Sequence, residues 1–355
     1  MSIAVAPADL AAVRRRDGRR HALRIAFVVA GLVLCFAADL MLGRTFTGPA
    51  ELVEVLSGEP VPGASFTVLE LRLPRAVLAV LGGFALGMAG AAFQGMLGNP
   101  LASPDILGIS AGAGTAAVLA ILVLGWNDTA TAIVALIGAL VTAAVIFSVS
   151  GFGGREAATV SGVGGFAGTR FILIGVGLAA MLQSTTSYLI ARSAEWDMQR
   201  AMQWLSGSIN GAAWERVLPL AGAVAVLVPI LLLRSARLEV LRLGPSAATA
   251  LGIPVARTRA LLLVTAVALL AFATSACGPI MFVSFMAGPI ALRLIGSARS
   301  PLLAAGLVGA LLVIAADLIG QHLLAERYPV GIITGAVGAP YLVLLLIRMN
   351  RKARA

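Results

Sequence analysis

"LRLPRAVLAVLGGFALGMAGAAFQGMLGNPLASPDILGISAGAG", residues 71–114, decides the fold class. Between Arg75 and Asp105 no residue carries a charge. The run from 75 to 97 is therefore long and apolar enough to cross a bilayer core as a helix, for which about 20 residues suffice. Gly83-x-x-x-Gly87 and the stretch Gly108 to Gly114 offer small faces on which membrane helices can approach closely. The rest of the chain repeats this pattern. Of its 355 residues, 59% are apolar and 12% charged, with a mean hydropathy of +0.99. Water-soluble chains carry roughly a quarter charged residues, so a soluble fold is excluded. Apolar runs at 23–43, 75–97, 106–126, 130–149, 170–191, 213–233, 258–275, 279–295, 301–320 and 329–349 predict an all-α polytopic membrane protein of about ten transmembrane helices.

Ten spans put both termini on one side. Of the 26 basic residues, 19 fall on the side of the tails and 7 on the other, so the positive-inside rule makes both termini cytoplasmic and the protein a multi-pass plasma (inner) membrane protein. The net charge of +10 is thus a topology signal, with no nucleic-acid partner implied. Residues 1–22 read as a disordered basic tail, 23–349 as the membrane domain and 350–355 as a second tail. The basic stretch 14–24 leads into a span too long for a signal-peptide core. On the outer side, 44–74 carries four glutamates, and 192–212 is amphipathic with Trp196 and Trp204 suited to the interface. On the cytoplasmic side, 150–169 is a Gly/Ser-rich connection and 234–259 is the longest basic loop between spans. The eighth span is broken by Pro279, Gly288 and Pro289, which membrane helices tolerate where they face protein or a cavity.

Catalytic machinery is sparse. The only lysine is Lys352, so no phosphate-cradling Gly-x-x-x-x-Gly-Lys-Ser/Thr loop can be built. His21 and His322 fall on opposite sides of the membrane, and Cys35 and Cys277 read as small core residues. No metal site, cofactor or catalytic residue is expected. Asp39 and Asp317 sit near the outer ends of spans, within reach of water, and are the candidates for an intramembrane ionisable function. If this chain is an active transporter, its energy comes either from a separate subunit or from ion coupling through one of those carboxylates.

The 71–114 stretch closely resembles the FecCD-type permeases, the membrane subunits of ABC importers for iron-siderophores and cobalamin. "WLSGSINGAAWE" (204–215), "LGPSAATALGI" (243–253), "GPIMFVSF" (278–285), "AADLIGQH" (315–322) and "PVGIITGAVGAPYLVLLLIR" (329–348) resemble the family in the same order, over about residues 45–348. The resemblance implies a type II ABC importer architecture and a non-enzymatic permease. Its implied partners are two ABC ATPase subunits, an extracytoplasmic siderophore-binding protein, a second permease subunit in a homo- or heterodimer, and membrane lipid. By the same resemblance Arg72 and Arg75 meet acidic residues of the binding protein. Asn99, Leu101, Gly168 and Thr169 form the cytoplasmic gate, and Leu243, Gly244, Ala248, Leu251 and Gly252 belong to the segment coupled to the ATPase.

Three departures from the family stand out. Pro245-Ser246 replaces an acidic residue after "LG", Gly168 replaces a hydroxyl residue, and Gly288-Pro289 replaces a Pro-His pair. "WLSGSINGAAWE" and "DLIGQH" resemble the ferric-siderophore subgroup, with cobalamin or haem transport and ion-coupled secondary transport as the alternatives.

Overall fold

The computed structural model describes residues 7–43, 45–150, 166–296 and 301–354. Helix α1 (Pro7–Met41) leads to α2 (Pro49–Ser57), a short surface helix. A helical turn and a π-helical stretch, Thr67–Arg72, then run into α3 (Leu73–Leu97). Pro74 has no N–H to offer the preceding turn, which accounts for the wide π geometry just ahead of it. After α3 come α4 (Ile109–Leu122), α5 (Asp128–Ser150), α6 (Phe166–Ala191) and the surface helix α7 (Glu195–Leu205). Then follow α8 (Trp214–Leu233), the short pair α9 (Ser235–Leu241) and α10 (Pro245–Ala250), and α11 (Val255–Cys277). The chain finishes with α12 (Val283–Leu294), α13 (Pro301–Leu318) and α14 (Val330–Arg354).

All ten expected spans are helical, but they are not equivalent. Among the described residues eight helices are long and apolar enough to cross a membrane, whereas α4 and α12 are shorter. With 14 and 12 residues they reach about 21 and 18 Å, short of the roughly 30 Å apolar core. Each is completed by irregular backbone: a 3₁₀ turn, Pro104–Leu107, precedes α4, and residues 278–282 precede α12. Both short helices are extensively buried, where protein groups can satisfy the freed backbone. Helix α1 begins at Pro7, well inside the segment expected to be a disordered tail.

The bundle is organised around α3, whose residues 82–96 are almost all buried. Helices α13, α11 and α12 enclose it. Against α13 the approach is backbone on backbone: a Cβ at Gly83 would run into the Gly309 carbonyl, and one at Gly87 into the Ala305 carbonyl. The two backbones touch because nothing stands between them. By contrast, a Cβ at Gly177 on α6 would meet nothing within 4 Å. Gly83→Val should therefore abolish the monodisperse permease peak in size-exclusion chromatography of detergent extracts. Gly177→Ala should leave peak height and melting temperature at wild-type values. Equal behaviour of the two variants would overturn the close-approach assignment.

Candidate functional site

At the end of the bundle away from the chain termini, the carbonyls that close α1 lack helical donors. Arg72 supplies them. Its guanidinium donates to the Leu40 and Met41 carbonyls at 2.8 and 3.1 Å, to Thr47 Oγ1 at 3.1 Å and to the Thr45 carbonyl at 2.6 Å. A positive group at a helix C-terminus also meets the negative end of the macrodipole. Gly43 leaves room for this, since a Cβ there would strike the guanidinium. Arg72 is only 8% exposed, so it caps α1 from a buried position.

One turn later, Arg75 grips Asp317 of α13 in a two-pronged pair: Nε to Oδ2 at 2.8 Å and Nη2 to Oδ1 at 2.6 Å. Asp317 is fully buried and Asp39 is 4% exposed, which corrects the expectation that water reaches both. Asp39 Oδ2 has no hydrogen-bond partner among the described residues. Asp39, Arg72 and Arg75 line a cavity of about 500 Å³ together with Gln321, His322 and Arg327. Three guanidinium groups thus converge on one opening, and Arg327 is a residue that reading the sequence missed. Its position in a polar turn after α13 held no signal; only folding brings it beside residues some 250 positions earlier.

At the opposite end, Gly98 ends α3 in a left-handed conformation (φ 61°) and the chain turns tightly. Asn99 Oδ1 accepts from the Leu101 N–H at 2.9 Å, and the Ala102 N–H donates to the Asn99 carbonyl at 3.0 Å. Asn99 is exposed at the tip. Leu101 is half-buried against the cluster formed by Phe285, Met286 and Leu345. Of the other expected constriction, Gly168 and Thr169 fall in the first turn of α6, and their side chains lie outside the described residues, as does most of the 150–169 connection.

The segment expected to couple to the ATPase is a helix pair, α9 packing on α10, with Leu238 of α9 seated on Gly95 of α3. Gly244 and Gly252, with φ of 101° and 76°, bracket α10 in conformations open to glycine. Ala248 is fully buried, so it faces the bundle and not an outside groove. The outward apolar groups are Leu243 and Leu251, 67% and 64% exposed, on either side of α10. Helix α6 is the least covered long helix: only 6% of its apolar window is buried. Its exposed surface carries Gln183, Ser184, Thr185 and Ser187 beside Met181 and Tyr188. Within this stripe the three hydroxyls donate to the Ala180, Met181 and Gln183 carbonyls of the helix itself, so the Gln183 amide is the group poorly matched to lipid hydrocarbon. It suits a water-bearing passage or another protein.

Comparison with known proteins agrees with this architecture. Residues 31–348 match the FecCD transport family. The ferric enterobactin transport system permease protein FepG of Escherichia coli K12 is 35% identical, over 94% of this chain and 98% of its own length. The achromobactin transport system permease protein CbrC of Dickeya dadantii is 35% identical over 92% of each chain. A solved metal-chelate-type ABC transporter in an inward-facing conformation superposes with a TM-score of 0.77 at 26% identity, covering 90% of this chain and 97% of its own. The chain belongs to the FecCD transport family, as a multi-pass inner-membrane permease of the ATP-binding-cassette importer type.

Proposed function

We propose that this chain is the permease subunit of a ferric-siderophore importer, paired with a separate ATPase and fed by an extracytoplasmic binding protein. The observation that carries the reading is whole-length similarity to permeases named for ferric enterobactin and achromobactin transport, on a bundle with the same architecture as a solved chelate transporter. In this reading both termini are cytoplasmic and residues 23–349 form the permease body. The α6 stripe lines the passage against a second permease copy. Asn99 and Leu101, with Gly168 and Thr169, close the passage at its cytoplasmic end. In proteoliposomes containing the partner ATPase and binding protein, ferric-siderophore uptake should require ATP hydrolysis and ignore an uncoupler. Uptake that persists without ATP and collapses with the uncoupler would instead assign ion coupling, with Asp39 the unpartnered carboxylate.

The cavity of Arg72, Arg75 and Arg327 is the proposed seat for an acidic side chain of the binding protein. Arg72 and Arg75 hold the fold as well, so Arg327, exposed at the rim, is the clean probe. Arg327→Glu should slow binding-protein association at low salt, and the defect should shrink as salt screens it. Asp317→Ala should act differently. It removes the buried partner that anchors Arg75 to α13 and should lower the melting temperature at every ionic strength. Surface plasmon resonance on nanodiscs and thermal unfolding separate the two effects.

Leu243 and Leu251 are the proposed apolar contacts for the ATPase, with Gly244, Ala248 and Gly252 shaping the hairpin that presents them. Leu243→Glu/Leu251→Glu should cut ATPase capture in a pull-down by at least about tenfold, with the melting temperature of the permease unchanged. Wild-type capture would move the contact elsewhere.

A further inference from the structure

Pro289 sits inside α12 and has no N–H, so the carbonyl of Phe285, four residues before it, loses its helical donor. That carbonyl is buried away from solvent and needs another partner. Gln94 of α3 provides it: Nε2 donates to the Phe285 carbonyl at 2.9 Å. The same nitrogen donates to the Pro100 carbonyl at 3.0 Å, in the turn between Asn99 and Leu101. Both acceptors are carbonyls, so the amide nitrogen must face them, and its two hydrogens are then fully used. The other half of the carboxamide lies over Gly288, where a Cβ would collide with Gln94 Oε1. The Gly288-Pro289 pair therefore does two things at once: glycine clears the space for a side chain from α3, and proline leaves the acceptor that holds it.

The turn has a second anchor. The Asp105 carboxylate accepts from Ser284 at the start of α12, from Ser103 at 3.2 Å and from Ser110 of α4 at 2.9 Å. The Ser103 and Ser284 hydroxyls lie 3.1 Å apart, and Ser284 is fully buried. Both flanks of the 98–104 turn are thus tied to the first turn of α12. Next to Gln94 in the chain, Gly95 is the residue on which Leu238 of the α9–α10 pair sits. One helical turn at the end of α3 touches the coupling pair on one side and the gate turn on the other.

We propose that Gln94, seated in the notch made by Gly288 and Pro289, is the positioning residue that holds the gate turn in place and frees it when the α9–α10 pair displaces the end of α3. This rests on the reading of 98–104 as the cytoplasmic constriction of an importer. The Asp105–Ser284 contact is the hinge about which the turn would move, since it pins the turn at its far flank independently of Gln94.

The test uses the full permease with its ATPase and binding protein in proteoliposomes, carrying Ala102→Cys as a reporter within the turn. Protein lacking the reporter serves as the baseline for Cys35 and Cys277. Labelling by a membrane-impermeant maleimide and leakage of trapped radiolabelled sucrose are both read without ATP. Gln94→Met keeps the side-chain length and removes both donors. It should raise labelling and leakage about tenfold, the scale expected when buried carbonyls lose their donor, while the protein still elutes as a folded dimer and its melting temperature falls by no more than a few degrees. Gly288→Ala, which evicts the carboxamide, should reproduce that phenotype. Pro289→Ala, which restores an N–H to α12, should fall between. Asp105→Asn keeps a hydrogen-bonding group of the same shape and should stay within about twofold of wild type, whereas Asp105→Ala should not. Unchanged labelling in Gln94→Met and Gly288→Ala would overturn the proposal. So would labelling that rises only in step with loss of the folded dimer, because that marks Gln94 as packing alone. Absence of ATP-driven siderophore uptake by the wild-type assembly would overturn the functional reading, and the labelling arm would still decide the role of Gln94.

Discussion

The direct backbone contact between α3 and α13 is the constraint on which the other arrangements depend. With glycine at 83, 87 and 309, and alanine at 305, the two helices meet main chain to main chain. In a bilayer, where lipid tails are as apolar as the side chains, such close packing is a principal source of association energy. It draws α3 into the middle of the bundle, with α11 and α12 around it. A helix of 25 residues reaches about 37 Å, so α3 spans from one surface to the other while remaining inside protein. Its first turn delivers Arg75 to Asp317, and its last delivers Gln94 to α12. Both ends of the transporter are referenced to the same buried rod.

Breaks in the other helices follow from what surrounds that rod. A helix that stops short of the bilayer thickness exposes carbonyls and N–H groups that hydrocarbon cannot satisfy. Helix α12 starts late, after Phe282 has taken a left-handed conformation (φ 65°) that side-chain-bearing residues rarely adopt. Gly338 of α14 makes room for its ring. The carbonyls freed at Phe285 and Pro100 are taken up by Gln94 of α3, and the Ser284 side chain at the start of α12 is held by Ser103 and Asp105. A broken helix in the interior thereby becomes a set of hydrogen-bond sockets, and sockets of this kind can hold a loop in one position without making it part of a helix.

Charge is distributed by the same logic. At the end away from the chain termini, buried Arg72 neutralises the carbonyl end of α1 and Arg75 neutralises Asp317, so two arginines in one cavity have fixed structural partners while Arg327 stands at the rim. At the other end the exposed groups of the α9–α10 pair are leucines flanked by arginines, a surface suited to a protein partner. Helix α6, covered on little of its surface among the described residues, carries Gln183, Ser184, Thr185 and Ser187 exposed within its apolar span.

Membrane insertion, helix number and family were legible in the sequence because they depend on composition over windows of about 20 residues and on ordered blocks such as 71–114 and 204–215. Each of those is local along the chain. The order of glycines in 83–87 also announced a close helix contact, although not its partner. What the residues of the site do was decided by tertiary structure. Arg72 and Arg75 read as surface charges until the ends of α1 and α13 were brought against them; Ala248 read as a docking face until α10 turned it inward. Gln94, a lone amide in an apolar run, carried no signal of its own in the sequence. Its role exists only because Pro289, nearly two hundred positions later, leaves a carbonyl without a donor at a point that α3 happens to pass. Hydrogen bonds and ion pairs between distant segments depend on which groups the fold leaves unsatisfied, and that is a property of the packed bundle, not of any stretch of chain read alone.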